Sequence, residues 1–279
     1  MIDLGTSSTA TTLGRATLSV DELDLLLDLL GIDELPVVLD WGPRFDTKPA
    51  RDAAFERADE SLRARGALGD GEVEEGLADR LRALARPHWV LALRLFVGDT
   101  ISRLAIAKGE STSVLALRGP DSLILDDVAT SAVGNDIAGI IATALGPAQA
   151  LDFGGLNAPT QQLGEIFDDT RDAAVTTRKL SAIGIPSRDS NTIATAMVHC
   201  FAHAEIVGVV YSDGSRDTAD GHLAVFDTRG GRFLATASRA QDGTKWSALS
   251  PGTNARLRQA VNSLVASLPD RAEFAPQPA

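Results

Sequence analysis

The N-terminal part of the chain shows the 3.6-residue apolar period of amphipathic helices. Ser19 and Glu22 have the spacing of a capping box, in which each side chain accepts a hydrogen bond from the other residue's backbone. Apolar positions then recur every three to four residues up to Leu30, and Gly31 follows where a left-handed helix end belongs. The pattern predicts a helix over Ser19–Leu30, a polar helix over Pro49–Arg65 and a third helix over Glu72–Ala85.

From His88 onward the apolar period shortens to about two residues, which is typical of β-strands. Short turns that contain Gly98, Gly109 and Gly119 separate the apolar runs. This pattern predicts a four-stranded antiparallel meander followed by a helix. The strands are expected at Trp89–Val97, Ile101–Ala107, Val114–Arg118 and Leu123–Val128, and the helix at Ser131–Leu145.

The second half of the chain repeats this order of elements. Helical patterns cover Thr160–Ile183 and Asn191–His203. Four strand-like runs follow at Glu205–Tyr211, His222–Thr228, Arg232–Ser238 and Lys245–Leu249, and a last helical pattern covers Asn254–Leu268. The remaining residues are rich in proline and charge, so we expect a disordered tail at 271–279.

The closing helices of the two halves carry the same apolar stripe. Each apolar position in the first helix is followed 124 residues later by an apolar residue in the second: Val133, Ile137, Ile140 and Ile141 correspond to Leu257, Val261, Leu264 and Val265. The stripe and the shared element order indicate an internal duplication. We predict an α/β (α+β) fold with an N-terminal half at 1–150 and a C-terminal half at 151–270, packed as one structural unit.

Composition narrows the range of partners and compartments. The net charge of -12 opposes binding to nucleic acid and to anionic membranes. A lone cysteine, Cys200, cannot form an internal disulfide, and we find neither a signal-peptide pattern nor an apolar run that could span a bilayer. We therefore expect a soluble cytoplasmic protein without nucleic-acid binding or membrane insertion.

The segment from His199 to His203 is the pattern most similar to a catalytic or metal site. If it were helical, the two histidines would share a face, with Cys200 beside them. No further cysteine is available to complete a site, and the sequence contains no nucleophile elbow and no phosphate-binding glycine loop. We expect no catalytic residue, metal or cofactor. A small-molecule-binding or hydrolytic enzyme that uses this region stays open as an alternative.

Surface residues are better candidates for function. In the first strand, Trp89, Leu91 and Leu93 form one face, while Arg94 and Phe96 belong to a mixed opposite face. Because arginine and aromatic residues anchor interfaces more often than other types, we predict partner-binding residues on the strands and in the polar loop from Ser212 to Gly221. This loop differs from the tight Gly98-Asp99 turn of the first half. The predicted residues are Arg94, Phe96, Arg103, Arg118, Asp213, Arg216 and His222.

Two motifs give the chain a family resemblance. The first is Asp227-Thr228-Arg229-Gly230-Gly231-Arg232, and the second runs from Ser238-Arg239 through Asp242-Gly243 to Trp246. Together with Leu84-Ala85-Arg86-Pro87 before the meander, they resemble the EspG family of type VII (ESX) secretion-associated proteins over roughly Ser19 to Pro269.

The resemblance implies a pseudo-twofold fold with a central antiparallel sheet flanked by two helical bundles. It also implies a cytosolic chaperone that binds the hydrophobic tip of a PPE protein in a PE/PPE heterodimer, with no cofactor or catalytic residue. A weak homodimer and a regulatory interaction module unrelated to secretion stay open as alternatives.

Overall fold

The structure is a computed structural model that describes residues 15–69, 71–110, 112–128, 133–212, 215–240 and 242–269. It contains eight α-helices within these ranges: α1 Val20–Leu30, α2 Lys48–Ala64, α3 Glu75–Ala85, α4 Val133–Leu145, α5 Thr160–Phe167, α6 Ala173–Ala182, α7 Ser187–Val198 and α8 Asn254–Ala266. A short 3₁₀ helix, Val37–Leu39, lies between α1 and α2. The predicted tail at 271–279 and the predicted binding residue Asp213 lie outside the described residues.

The described part of the chain also contains twelve strands. They are β1 Ala16–Ser19, β2 Leu68–Gly69, β3 Glu72–Val73, β4 Trp89–Val97, β5 Thr100–Lys108, β6 Ser113–Arg118, β7 Ser122–Asp127, β8 Leu156–Pro159, β9 Cys200–Ser212, β10 Ser215–Thr228, β11 Gly231–Arg239 and β12 Lys245–Pro251. β2 and β3 form a small hairpin, and the other ten strands form one sheet in the order β1-β7-β6-β5-β4-β9-β10-β11-β12-β8.

The sheet is symmetric about its central pair, β4 and β9. Outward from β4 come β5, β6, β7 and β1, and outward from β9 come the corresponding strands of the second half, β10, β11, β12 and β8. β4 and β9 are antiparallel, with Trp89 opposite Val210 and Val97 opposite Ala202. Both predicted meanders are confirmed, and the predicted duplication appears as a pseudo-twofold arrangement of one continuous sheet.

One face of the sheet, the back face, carries Trp89, Leu91 and Leu93 and is covered by α4 and α8. The stripe that predicted the duplication packs here, since Ile137 is 1% exposed and Val261, which lies 124 residues later, is fully buried. Both closing helices therefore cover one apolar core that combines residues from the two halves.

The opposite face, the front face, is covered by two separate helical bundles. The N-terminal bundle, α1 to α3, packs on Val90, Ala92 and neighbouring residues of the first half. The C-terminal bundle, α5 to α7, packs on Phe233, Leu249 and Ala158 of the second half. The middle of the front face, along β4, β9 and β10, lies between the bundles.

The family-like motif at Asp227–Arg232 joins the two halves. Arg232 is 2% exposed, and its Nε and Nη2 donate to the two carboxylate oxygens of Asp227 at 2.6 and 2.8 Å. The same guanidinium donates to the carbonyls of Leu145 and Gly146, at the end of α4, at 2.9 and 3.0 Å. A side chain at Gly231 would collide with the backbone of Ala150, so this position requires glycine.

The predicted second-half helices differ from the structure at two points. The single helix expected over Thr160–Ile183 is divided into α5 and α6, and Asp172 caps the start of α6 through its side chain. The helix expected to continue to His203 is wrong, because α7 ends at Val198 and β9 begins at Cys200. Residues after Cys200 form ladders with β4 and β10 on both sides, and this pairing outweighs the local helical pattern.

Candidate functional site

The middle of the front face lies between the two bundles, and its side chains are half-buried or exposed. Its floor spans three neighbouring strands, β4, β9 and β10, which corresponds to a width of roughly 10 to 14 Å from the usual strand spacing. An α-helix with its side chains is about 10–12 Å across. We call this feature the central channel, and its floor contains Arg94, Phe96, His203, Glu205, Ala224 and Phe226.

An aromatic row crosses the floor of the central channel. Phe96 stacks on His203 with ring centroids 4.5 Å apart, and His203 lies 6.3 Å from Phe226. Phe226 stacks in turn on Phe233 at 4.8 Å, and Phe233 meets Phe153 edge to face within the core of the C-terminal bundle. The half-buried rings of the channel are therefore fixed to a buried core at one end.

Apolar side chains are exposed at one end of this floor. Ile101 lies opposite Phe96 in the sheet and is 37% exposed. Phe201 precedes His203 by two residues and is 59% exposed, and Val198 at the end of α7 is 39% exposed. Exposed apolar residues that occur together beside a groove are typical of a protein interaction site.

A single ion pair lies in the middle of the channel floor. Arg94 Nη2 is 2.6 Å from Glu205 Oε2, and the two side chains are 54% and 43% exposed. The residues face each other across the β4–β9 pair, and the guanidinium carbon of Arg94 lies 5.8 Å from the centre of the Phe96 ring. A half-exposed charged pair thus sits among aromatic side chains.

Three of the predicted binding residues form a row of arginines across neighbouring strands. Arg94 is opposite Arg103 in the sheet, and Arg103 is opposite Arg118. Arg103 Nη2 bonds Asp40 Oδ2 at 2.9 Å. Arg118 donates to the carbonyls of Gly119 and Pro120, and its guanidinium carbon lies 4.9 Å from the centre of the Trp41 ring.

The structure places Arg94, Phe96, Arg103 and Arg118 together, whereas the two described residues predicted in the second half lie apart from them. Arg216 is opposite Tyr211, where β9 and β10 extend beyond the first residue of β4. His222 is exposed and lies opposite Val207, further along the front face from Arg94. The six described residues of the predicted set therefore do not form one contiguous cluster.

Sequence reasoning missed the β9 and β10 side of the channel. His203, Glu205 and Phe226 contribute half of the floor, yet the local sequence pattern predicts a helix at His203. The alternation of Phe201, His203, Glu205 and Val207 with buried Ala202, Ala204 and Ile206 was the available signal, because a period of two indicates a strand.

The helical face proposed for His199 and His203 does not exist. His199 follows the end of α7, while His203 lies within β9 and stacks on Phe96. Burial raises the pKa of the Cys200 thiol, whose sulfur lies 3.3 Å from the carbonyl oxygen of Ala202. A raised pKa keeps a thiol protonated and less nucleophilic.

Two further properties bear on the kind of site present. Among the residues that the structure describes, no group of three His, Cys, Asp or Glu side chains is placed to hold a metal ion. Within the same ranges, no helix combines the length and the apolar character needed to span a membrane.

Curated proteins similar to this chain come from mycobacteria. The ESX-1 secretion-associated protein EspG1 of Mycobacterium tuberculosis is 27% identical over 270 residues, covering 95% of this chain and 91% of that protein. The ESX-3 secretion-associated protein EspG3 of Mycolicibacterium smegmatis is 25% identical over 263 residues, covering 94% of this chain and 89% of that protein.

A solved structure shares the fold. The Mycobacterium tuberculosis type VII secretion system chaperone EspG5, determined in complex with a PE25–PPE41 dimer, matches 92% of this chain and 97% of its own with a TM-score of 0.77 and 19% identity. The model of the EspG family matches residues 19–263, a range that includes both helical bundles and the whole channel floor. The chain belongs to the EspG family.

Proposed function

We propose that this protein is a cytosolic chaperone of type VII (ESX) secretion. It binds the hydrophobic tip of the PPE protein in a PE/PPE heterodimer and keeps the pair soluble until secretion. The observation that carries the proposal is the membership of the EspG family over residues 19–263. EspG5, which shares the fold, is itself described as a chaperone in complex with a PE–PPE dimer.

The geometry of the central channel supports this function. Its floor is as wide as one helix, and it combines stacked rings with exposed apolar side chains at Ile101 and Phe201. An apolar helical tip placed there would cover side chains that are now in contact with water, and burial of apolar area is the main favourable term in association. Partner binding by Arg94, Phe96, Arg103 and Arg118 is part of this proposal.

We further propose that the protein acts without catalysis. The residues of the enzyme alternative do not combine into a catalytic arrangement, since Cys200 has a raised pKa and His203 is stacked between two phenylalanines. A chaperone that holds its client reversibly needs complementary surface rather than a nucleophile and a base.

Co-expression tests the proposal directly. The protein is expressed with each PE/PPE pair encoded in the same genome, and complexes are separated by size-exclusion chromatography. We expect the native chain to co-elute with at least one pair. The variants Phe201→Asp and Ile101→Asp are expected to abolish co-elution, because each places a charge in the apolar end of the channel.

Leu29→Asp serves as the matched control. Leu29 is also an exposed apolar residue, at 46%, but it lies on α1 in the N-terminal bundle. This variant should bind like the native chain. If the native chain forms a complex with none of the PE/PPE pairs, the proposed function is refuted.

A further inference from the structure

We propose that the central channel recognises a carboxylate embedded in the apolar surface of its partner, and that Arg94 binds this carboxylate. The inference rests on the proposed function, since it names a chemical feature that the client must carry. It concerns the middle of the floor, where an ion pair interrupts the aromatic and apolar surface.

Arg94 has more hydrogen-bonding capacity than its own protein uses. A guanidinium carries five N–H donors, and that of Arg94 makes one hydrogen bond, to Glu205. Its side chain is 54% exposed, compared with 23% for Arg103. Arg94 is therefore the member of the arginine row whose charge is most open to a partner.

The other two arginines are engaged within the fold. Arg103 is tied to Asp40, and Arg118 is held by backbone carbonyls and by the ring of Trp41. The charge of Arg103 is offset by Asp40, whereas Arg118 donates to backbone carbonyls and adds positive charge to the row, in a protein whose net charge is -12. This positive charge attracts and orients an acidic group on the partner.

Covering the channel makes an acidic partner group necessary. In the free protein an exposed ion pair such as Arg94–Glu205 is well hydrated and contributes little to stability. When an apolar partner surface displaces this water, a guanidinium with one hydrogen bond becomes unfavourable unless the partner supplies acceptors. A carboxylate fits best, because its two oxygens match the parallel N–H groups of a guanidinium.

Two substitutions, each of which removes one charge, test the inference because they should change affinity in different directions. Arg94→Gln removes the charge that binds the partner, and affinity for the co-purified PE/PPE pair is expected to fall about 30-fold or more. Glu205→Gln removes the carboxylate that competes for Arg94, so affinity should be equal to or greater than that of the native chain. Isothermal titration calorimetry measures both, and at higher salt the native chain should lose affinity more steeply than Arg94→Gln.

The ion pair Arg82–Asp79 on α3 provides a matched control, since its atoms are 3.1 Å apart and its side chains are 60% and 59% exposed. Arg82→Gln and Asp79→Asn should leave affinity unchanged. If the Arg94–Glu205 pair only holds the shape of the channel floor, Arg94→Gln and Glu205→Gln should lose affinity to the same extent. That result, or unchanged affinity in Arg94→Gln, overturns this inference while the proposed function stands. Failure of the native chain to bind any pair refutes the proposed function and, with it, this inference.

Discussion

Arg232 and Arg94 both lie on the large sheet, but burial gives them different roles. Arg232 is 2% exposed and all its observed bonds are internal, to Asp227 and to the end of α4. Arg94 is more than half exposed and has donors to spare. The Asp227–Arg232 motif thus connects the two halves, whereas the predicted binding residues lie outside it.

We predict that Arg232→Met lowers the free energy of unfolding by about 3–5 kcal/mol, because it leaves the carboxylate of Asp227 and two helix-end carbonyls without their partner. Urea denaturation followed by circular dichroism measures this change. Arg171→Met is the control, since the Arg171–Asp169 pair is exposed on the surface and its loss should leave the midpoint unchanged. Equal midpoints for the two variants would contradict the role assigned to Arg232.

Helix α1 begins with a capping box whose glutamate also contacts a second helix. The capping box is present as predicted, with Ser19 N donating to Glu22 Oε2 at 2.7 Å. Glu22 also accepts a hydrogen bond from Ser61 at 2.7 Å and pairs with Arg65, both near the end of α2. Burial alone would raise the pKa of Glu22, but these hydrogen bonds and the charge of Arg65 outweigh it and lower the pKa below its ordinary value.

Because the pKa of Glu22 is lower in the folded protein than in the unfolded chain, the ionised carboxylate stabilises the fold. This stabilisation is complete above the pKa that Glu22 has in the unfolded chain, and it is lost as the pH falls through the pKa that Glu22 has in the folded protein. We predict that Glu22→Gln lowers the free energy of unfolding by about 1–3 kcal/mol at pH 7. The difference from the native chain should shrink as the pH is lowered below about 4.5, the ordinary value for the carboxyl group.

Urea titrations at several pH values measure this dependence. Ser19→Ala is the control, because it removes the hydroxyl half of the cap without changing a charge and should destabilise the protein with little dependence on pH. A constant difference between Glu22→Gln and the native chain at all pH values would contradict the prediction.

Local sequence predicted most elements because each has its own signal. The first meander and α1, α2, α3 and α8 occur close to their predicted bounds, whereas β9 and β10 of the second meander begin at Cys200 and Ser215, before their predicted starts at Glu205 and His222. The short strands β1 and β8 were missed, since each has only four residues and is stabilised by pairing with β7 or β12 at the edge of the sheet. The extension of β9 back to Cys200 likewise depends on its neighbours on both sides rather than on local propensity.

At the scale of the whole molecule, the two halves share a sheet and a core. β4 of the first half pairs with β9 of the second along its entire length, and the back-face core combines residues such as Ile137 and Val261. Arg232 adds a connection between the second-half hairpin and α4. The boundary between 150 and 151 stays a prediction of where the two duplicated halves meet in the sequence. We propose that the halves on either side of it are not independently stable.

We predict that both halves unfold in one transition. Trp89 lies in the first half and Trp246 in the second, so single-tryptophan variants that retain one or the other report on each half separately. Their urea midpoints should coincide with each other and with the midpoint from circular dichroism. The fragment 1–150 expressed alone should fail to unfold cooperatively, because it exposes the edge of β4 and half of a core. Two distinct urea midpoints in the full chain would contradict the prediction of a single transition.

Periodicity and turn chemistry are local properties, so the amino-acid sequence alone specifies the duplicated order of elements, the apolar stripe of the closing helices and the family resemblance. It also identified Arg94, Phe96, Arg103 and Arg118 as candidates. Long-range packing places these four side by side and brings Glu205 and His203 against two of them from a strand more than 100 residues away. It also positions the two bundles so that this strip stays open. Strand register and bundle placement depend on long-range packing, which no local pattern specifies.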